Sequence, residues 1–367
     1  MKILHIFNEL KFSGAEIMYV AAAEKFAKLG GELYAVSTSD KIGEYKFYFI
    51  KAGYTLYHWP YQKLSIRKKW DYYAKVIRFI KDHDIDVLHV HRPDMKLGMA
   101  YCAWRCGIKS VYTLHNVFPT RWFSYPYHVW LRWCCQKVFH QIHHSISDSV
   151  YEREKYFFHN KTVKIYNWYN NKNFYPASSA EKEFVRNQLN IPHDAFVVIS
   201  VGGCSKIKRH EDVILAVSEV KKIIPNILYL HLGEGNTTIE EKKLSIELGI
   251  EDNVLFEGNK EDVRKYLVIS DIYVMTSVFE GISLTSIEAM ACGIPAILYN
   301  VPGLRDFNKE KMCSLLIDES PQILAESIIT LKNDEALKKE IVANAQEFVL
   351  ENYDMATNAR KIFELYQ

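Results

Sequence analysis

The chain reads as an α/β protein made of two doubly wound parallel-sheet domains. Three observations predict this. Short apolar runs alternate with helix-periodic segments along the whole length. A polar, Asn-rich stretch containing Pro176 interrupts the alternation once, after which it starts again. The length of 367 residues, at about 150 per domain, gives two domains. Successive parallel strands need crossovers that cover the sheet faces, so strands of this kind come with intervening helices.

In the first part, strands are expected at Lys2–Phe7, Glu32–Thr38, Tyr54–His58, Asp86–His91, Lys109–Leu114, Ser145–Ile146 and Thr162–Ile165. Helical periodicity joins them over Ala15–Leu29, Trp70–Ile80 and Met95–Cys106. The segment Asn167–Ser179 (NWYNNKNFYPASS) is the candidate linker. Beyond it, strands are expected at Ala195–Val201, Asn226–Leu232, Asn253–Glu257, Asp271–Thr276, Pro295–Tyr299 and Ser314–Leu316. Helices fill the gaps at Glu211–Ile223, Thr238–Leu248 and Leu284–Ala291, and two more close the chain at Asp334–Glu351 and Tyr353–Tyr366. The expected domains are residues 1–168 and 169–352, with a cleft between them and no internal repeat.

The composition is 49% hydrophobic, 14% aromatic and 25% charged, which excludes collagen-like, low-complexity and disordered classes. No apolar run approaches the roughly 20 residues of a bilayer span, and Met1–Phe7 reads as a strand rather than a signal peptide. Seven cysteines, an odd number without CxxC spacing, read as reduced thiols of a cytosolic protein. A chain of this length is expected to need neither disulfides nor a structural metal. The net charge of +2 conceals an asymmetry. Residues 1–168 carry 25 Lys and Arg against 14 Asp and Glu, a net of +11, while the remainder carries 21 against 30, a net of −9. The basic half suits an anionic acceptor or membrane surface, unless the opposite charges simply help the two halves pack.

Open parallel sheets bind ligands beyond the carboxyl ends of their strands, so chemistry is expected in the segments that follow strands. After the first strand, Asn8–Glu16 (NELKFSGAE) sets Gly14 just ahead of a helix. It is either an ordinary turn glycine or a point of close backbone approach to an anion at the helix start. His115 follows the Lys109–Leu114 strand and is either structural or a group that binds or polarises a substrate hydroxyl. His89 and His91 share one sheet face at period-two spacing, but no third ligand is identifiable. With His140, His143 and His144 they read as buried or cleft-lining side chains. Asp84–Ile85–Asp86 lies at the start of a strand, the wrong end for a ligand site, and reads as turn chemistry rather than a metal site.

The second half is richer. Gly202–His210 (GGCSKIKRH) places two glycines, Lys206, Lys208 and Arg209 ahead of a helix, which suits a diphosphate. Gly233–Glu234–Gly235 after the next strand permits close backbone approach. In Phe279–Glu288 (FEGISLTSIE), Glu280 lies before a helix and Glu288 about two turns into it, with seven residues between them. Gly281 and Ser283 flank the helix start, where free N–H groups receive phosphate or sugar oxygens. A carboxylate beside an anion site needs hydroxyl partners, because phosphate would repel it. The pair therefore points to a sugar nucleotide, unless both are solvated glutamates on an amphipathic helix.

At these residues the sequence resembles the family 4 retaining glycosyltransferases of the GT-B fold. FEGISLTSIEAMACGIPAI looks like the family's E-x7-E signature with its A-x-G-x-P turn. SGAE at Ser13–Glu16, TLHN at Thr113–Asn116, ISDS at Ile146–Ser149, IYN at Ile165–Asn167, VGGCSKIKRH at Val201–His210 and LGEG at Leu232–Gly235 match in order. The resemblance covers nearly the whole chain. It implies two Rossmann-like lobes facing across a cleft, with the nucleotide bound mainly by the second. It further implies that Glu280 contacts the donor sugar near its reacting centre, Glu288 holds the ribose and Lys208 neutralises the leaving group. Gly281, Ile282, Ser283 and Leu284 would offer backbone amides, with Gly203, Gly233, Glu234 and Asn259 also lining the donor site. Gly14 would approach the diphosphate from the first lobe and His115 would sit near the acceptor or donor sugar. Glu280, His115 and Lys208 are thus the expected catalytic residues, and the helix 353–367 is expected to pack back on the first domain. Two departures stand out: Gly203 replaces an Arg that the family often has, and Ser13–Gly14 replaces its usual pair of glycines.

The expected activity is transfer, with retention, of a sugar from a nucleotide-diphosphate donor (UDP-sugar first, GDP-sugar second) to an acceptor hydroxyl. The setting is cell-surface polysaccharide or glycolipid assembly, with a glycan or lipid-linked acceptor. Neither metal nor cofactor is expected, since the nucleotide sugar is a substrate, and no nucleic acid. Lys63–Lys81 interleaves aromatics with seven Lys and Arg, and Trp122, Trp130, Arg132 and Trp133 add to it. This predicts a cytoplasmic protein touching the inner face of the plasma membrane peripherally, unless the helix merely covers a sheet. The competing readings are a non-catalytic sugar-nucleotide-binding protein, a nucleotide-sugar epimerase or phosphorylase on the same fold, and a dinucleotide oxidoreductase. The last lacks its G-x-G-x-x-G pattern here.

Overall fold

The computed structural model describes residues 1–61, 65–117 and 119–367, and in it the chain divides into two units. Unit 1 is Met1–Trp168 with Met355–Gln367; unit 2 is Tyr169–Asp354.

Unit 1 holds strands β1 (Lys2–Phe7), β2 (Glu32–Ser37), β3 (Thr55–His58), β4 (Val87–Val90), β5 (Lys109–Leu114), β6 (Ile142–Ser145) and β7 (Val163–Lys164). They form one sheet in the order β3-β2-β1-β4-β5-β6-β7, and every pair is parallel. Sequence-adjacent strands run outward from β1 on one side and from β4 on the other, so the strand order reverses between these two. Helices cover both faces of such a sheet, and its central strands are accordingly buried along almost their whole length.

Unit 2 repeats the plan with β8 (Phe196–Val201), β9 (Ile227–Leu232), β10 (Val254–Gly258), β11 (Ile272–Met275), β12 (Ala296–Tyr299) and β13 (Leu315–Ile317). The order is β10-β9-β8-β11-β12-β13, again all parallel, and it reverses between β8 and β11. Ligand sites in doubly wound folds lie at such reversals, beyond the carboxyl ends of the two strands. The expected α/β class and both parallel sheets are present.

The differences from expectation are local. β6 starts at Ile142 rather than near Ser145, because His143 and His144, polar in sequence, are buried in the strand. His143 is bonded to Asn160 and His144 to Thr113. His140, expected to be buried or cleft-lining, is exposed at a turn with φ of 54°. Helices Tyr125–Trp133, Ser179–Gln188 and Pro321–Asn333 are present beyond those expected. The linker is less loose than its composition suggests: Trp168 and Tyr169 are buried, and Tyr169 N bonds to Tyr353 O. All seven cysteines are free thiols. Asp84 occupies a turn at φ of 50°, and Asp86 accepts a bond from the amide of Lys2.

The terminal helix Met355–Glu364 packs on helix Gly14–Lys28 of unit 1. Phe363 and Tyr366 lie beside Phe26, with ring centroids 6.5 and 6.4 Å away. The Tyr366 hydroxyl reaches Nδ1 of buried His89 at 2.6 Å. Tyr366→Phe leaves that nitrogen without a partner and should destabilise the chain by about 1–3 kcal/mol, read as a lower urea midpoint with unchanged slope.

Candidate active site

In unit 2, the loop after β8 and the loop after β11 are tied together before any side chain meets. The amide of Val278 bonds to Ile207 O at 2.8 Å, and Thr276 Oγ1 donates to the carbonyls of Lys208 and Arg209 at 2.8 and 3.0 Å. The amide of Glu280 is held by Pro302 O at 2.9 Å. On this frame Lys208 Nζ meets Glu280 Oε1 at 2.6 Å, and Ser277 Oγ donates to the same oxygen at 2.6 Å. Both members of the pair keep some solvent exposure.

Gly233 has φ of +135°, and a Cβ there would lie 2.1 Å from Gly202 O. Its glycine is thus explained by contact of its own backbone with the Gly202–Gly203 loop. Its amide bonds to Gly258 O at 2.9 Å, which brings Asn259, exposed at the end of β10, to the same rim. Glu234 and Gly203 are exposed beside it. Arg209 is not available to replace the arginine that Gly203 lacks: it pairs with Asp212 at 2.8 Å and Glu319 at 2.7 Å. Lys206 is exposed, with no ion pair among the described residues.

Helix Leu284–Ala291 begins on Ser283, whose Oγ accepts from Ser286 N at 3.2 Å and caps it. Gly281, Ile282 and Ser283 are buried at this turn, and Leu284 is half-buried. Helix geometry leaves the amides of the first turn without intrahelical acceptors. Glu288, further along the helix, is half-buried. Its carboxyl group has no hydrogen-bond or ion-pair partner among the described residues, and burial pushes its pKa up to about 8. A carboxyl group that is desolvated without a donor is one that a ligand hydroxyl would relieve.

Gly14 and His115 belong to unit 1. Gly14 opens helix Gly14–Lys28 and is exposed; Ser13 bonds instead to Glu16. His115 lies just past β5, with Nε2 3.0 Å from His91 Nδ1, and His91 Nε2 lies 3.1 Å from His5 Nδ1. His5 from the adjacent β1 is the third member that spacing alone could not supply to the His89–His91 pair. Burial pushes His115 and His5 down to about 3, so the row is uncharged at neutral pH. Ser277 and Thr276, which hold Glu280 and the Lys208 loop, have no signal in the sequence beyond their place after a strand.

Such a pair of doubly wound units, with a cation–carboxylate pair at a strand reversal, is the architecture of a GT-B glycosyltransferase. Comparison with known proteins agrees: residues 181–348 match Glycosyl transferases group 1 and residues 12–173 match Glycosyltransferase Family 4. The chain is a glycosyltransferase and belongs to family 4. It is 26% identical over 322 residues to N-acetyl-alpha-D-glucosaminyl L-malate synthase of Bacillus anthracis, covering 86% of this chain and 80% of that protein. It is 24% identical over 351 residues to alpha-monoglucosyldiacylglycerol synthase of Acholeplasma laidlawii, covering 89% and 86%. Among solved structures, Anabaena HepE in complex with UDP and glucose shares the fold with a TM-score of 0.84 at 21% identity, over 99% of this chain and 98% of that one. The oxidoreductase and non-catalytic readings fall away.

The raised pKa of Glu288 has a consequence for stability. Below its ordinary pKa of 4.5 the folded and unfolded chains both hold the proton. Between about 4.5 and 8 only the folded chain keeps it, so this group lowers stability progressively as pH rises through that window and by a constant amount above it. Glu288→Gln should remove the slope and be more stable than the parent at pH 8.5 by about 1 kcal/mol or more, as measured by urea midpoints across pH.

Proposed function

We propose that this chain transfers a sugar, with retention, from a UDP-sugar to a hydroxyl of a glycan or lipid-linked acceptor in cell-surface polysaccharide or glycolipid assembly. The observation that carries this reading is the combination of a paired Lys208–Glu280 at the strand reversal with an unpartnered Glu288 on the following helix. Glu288 suits a ribose diol. Two hydroxyls can donate to a carboxylate, and they would draw its pKa back down. Lys208 suits the leaving diphosphate, with the first-turn amides around Gly281–Leu284 beside it. Glu280, held by Ser277, would then face the donor sugar. UDP is favoured over GDP because HepE, which shares the fold, was solved with UDP, UDP and glucose, and UDP-glucose.

In the transfer, the bond from the anomeric carbon to the phosphate oxygen breaks and a bond to the acceptor oxygen forms. The acceptor's proton passes to the departing phosphate. Lys208 stabilises the charge that develops there, a task that needs no metal. His115, neutral and tied inward through His91, can bind a hydroxyl but is a poor proton acceptor at its low pKa.

The acceptor's lipid character rests on unit 1. Helix Ile66–Asp82 of the expected basic segment is partly a sheet cover, since Tyr72, Val76, Phe79 and Ile80 are buried; Lys63 and Leu64 lie outside the described residues. The exposed aromatics are Trp70 and, above all, Trp122, Phe123, Tyr127, Trp130 and Trp133, with Trp122 86% exposed. These suit the interfacial region of an anionic leaflet. No helix among the described residues is long and apolar enough to cross a membrane.

Three measurements check this. A thermal-shift panel of UDP, GDP, ADP and their sugars should show stabilisation by uridine nucleotides, about 2.7 kcal/mol at 100 times Kd; no response to any nucleotide would sink the donor reading. Lys208→Ala should lower kcat/KM by about 10²–10³, with the products analysed for retained anomeric configuration and activity unchanged by EDTA. Co-sedimentation with vesicles of anionic lipid at low salt should occur and weaken when Trp122 and Trp130 are replaced by Ser.

A further inference from the structure

Behind the Lys208 loop, unit 2 buries four side chains from four different segments. Cys204 comes from the loop itself, His210 from the first residue of helix His210–Val220, His231 from β9 and Glu241 from helix Thr238–Glu247. None is more than 2% exposed. One donor atom from each residue lies within 4.8 Å of all the others. Cys204 Sγ is 3.1 Å from His231 Nε2, His210 Nδ1 is 3.6 Å from Glu241 Oε1, and the two imidazole centroids are 4.2 Å apart.

The cluster does not satisfy itself. Both ring nitrogens of His210 and Oε2 of Glu241 are buried with no hydrogen-bond partner. Buried polar atoms are nearly always bonded, so three orphans in one place mark a missing partner. The surrounding bonds also aim the donors inward. His231 Nδ1 is occupied by Ser200 Oγ at 2.9 Å, which leaves Nε2 for the cluster. Thr237 Oγ1 donates to Glu241 Oε1 at 2.6 Å, which leaves Oε2. Metal ligands characteristically have their second polar atom held this way.

We propose that Cys204, His210, His231 and Glu241 bind a single divalent transition-metal ion, and that the ion is Zn²⁺. A thiolate and two imidazoles are soft and borderline donors, unlike the oxygen sets of Mg²⁺ or Ca²⁺. Four protein ligands around zinc leave no open position, so the ion is structural. Uptake balances as Zn²⁺ in and the Cys204 thiol proton out to solvent, with the imidazoles neutral and Glu241 ionised. A bound cation would hold the Cys204 sulfur as thiolate. Cys204 and His210 bracket Lys208 in the chain, so the ion would clamp both ends of the loop that presents it. This departs from the expectation that the chain needs no structural metal: its ligands lie on four segments with none of the close spacing that sequence patterns for zinc require.

The test is a Co²⁺ titration of the full-length chain, freed of metal with a chelator and shown by circular dichroism to remain folded, with no nucleotide present. Saturation at about one equivalent, with visible bands of tetrahedral intensity and a near-ultraviolet thiolate-to-cobalt charge-transfer band, is expected. Cys204→Ser should abolish the charge-transfer band. Glu241→Gln, which keeps the side chain's shape, should weaken cobalt binding at least 10-fold and serves if the cysteine variant does not fold. Absence of the charge-transfer band from the folded parent chain, or its persistence in Cys204→Ser, would overturn the proposal. Neither result bears on nucleotide binding, so the zinc site and the transferase reading can fail separately.

Discussion

Lys208 and Glu280 are 72 residues apart in the chain, and they meet because β8 and β11 are neighbours in the sheet. The pairing of Ile272 with Val198 and of Tyr273 with Ile199 sets where both strands end. It therefore sets where both loops begin. Bonds between the loop backbones then remove most of the remaining freedom, so the 2.6 Å pair closes a frame that already exists. The frame fixes where both side chains are anchored, and the ion pair with Glu280 then fixes the ammonium at the end of the flexible Lys208 stem. The rest of the site follows from the same adjacency. The capped helix start and Glu288 continue from the β11 loop, and Gly233 packs on the β8 loop from the other side.

Unit 1 uses a different principle. Its central strands put histidines on one face, and five of them, His5, His89, His91, His115 and His144, are linked by bonds among themselves or through Thr113. The bonds form two strings, His5–His91–His115 and His89–Thr113–His144, and within each the tautomers are set together, because every bond needs one hydrogen and one lone pair. Burial first, and mutual repulsion after it, keep the rings uncharged, and the positive balance of this half comes from lysine and arginine alone. The unit is strongly basic in net charge, while its histidine row is neutral and its deeply buried arginine, Arg132, is matched by Glu154.

Much of this fold is legible in the order of the residues. Every expected strand has a counterpart, because strands buried on both faces leave short apolar runs that turn residues cut off cleanly. The helices that the sequence hides are those whose periodicity is masked. Tyr125–Trp133 is aromatic on several sides and carries Pro126 in its first turn, while Ser179–Gln188 buries only Val185. Helix Pro321–Asn333 does carry a signal, a serine cap followed by proline, to which periodicity alone is blind. In the candidate site, the glycines and helix starts can be read locally. That Arg209 is taken by Asp212 and Glu319, that Ser277 holds Glu280, and that Cys204 faces His231 cannot, because each depends on which loops the sheet order brings together.

All seven tryptophans, buried Trp168 and the exposed Trp70, Trp104, Trp122, Trp130 and Trp133 among them, lie in unit 1. Intrinsic fluorescence is consequently a reporter of one half of this molecule. Emission excited at the indole band follows the unfolding of the histidine-rich unit and is silent about melting within the other. Far-ultraviolet dichroism weighs both. Where the two signals part company during denaturation, their difference reports the melting of the unit that carries Lys208, without label or truncation.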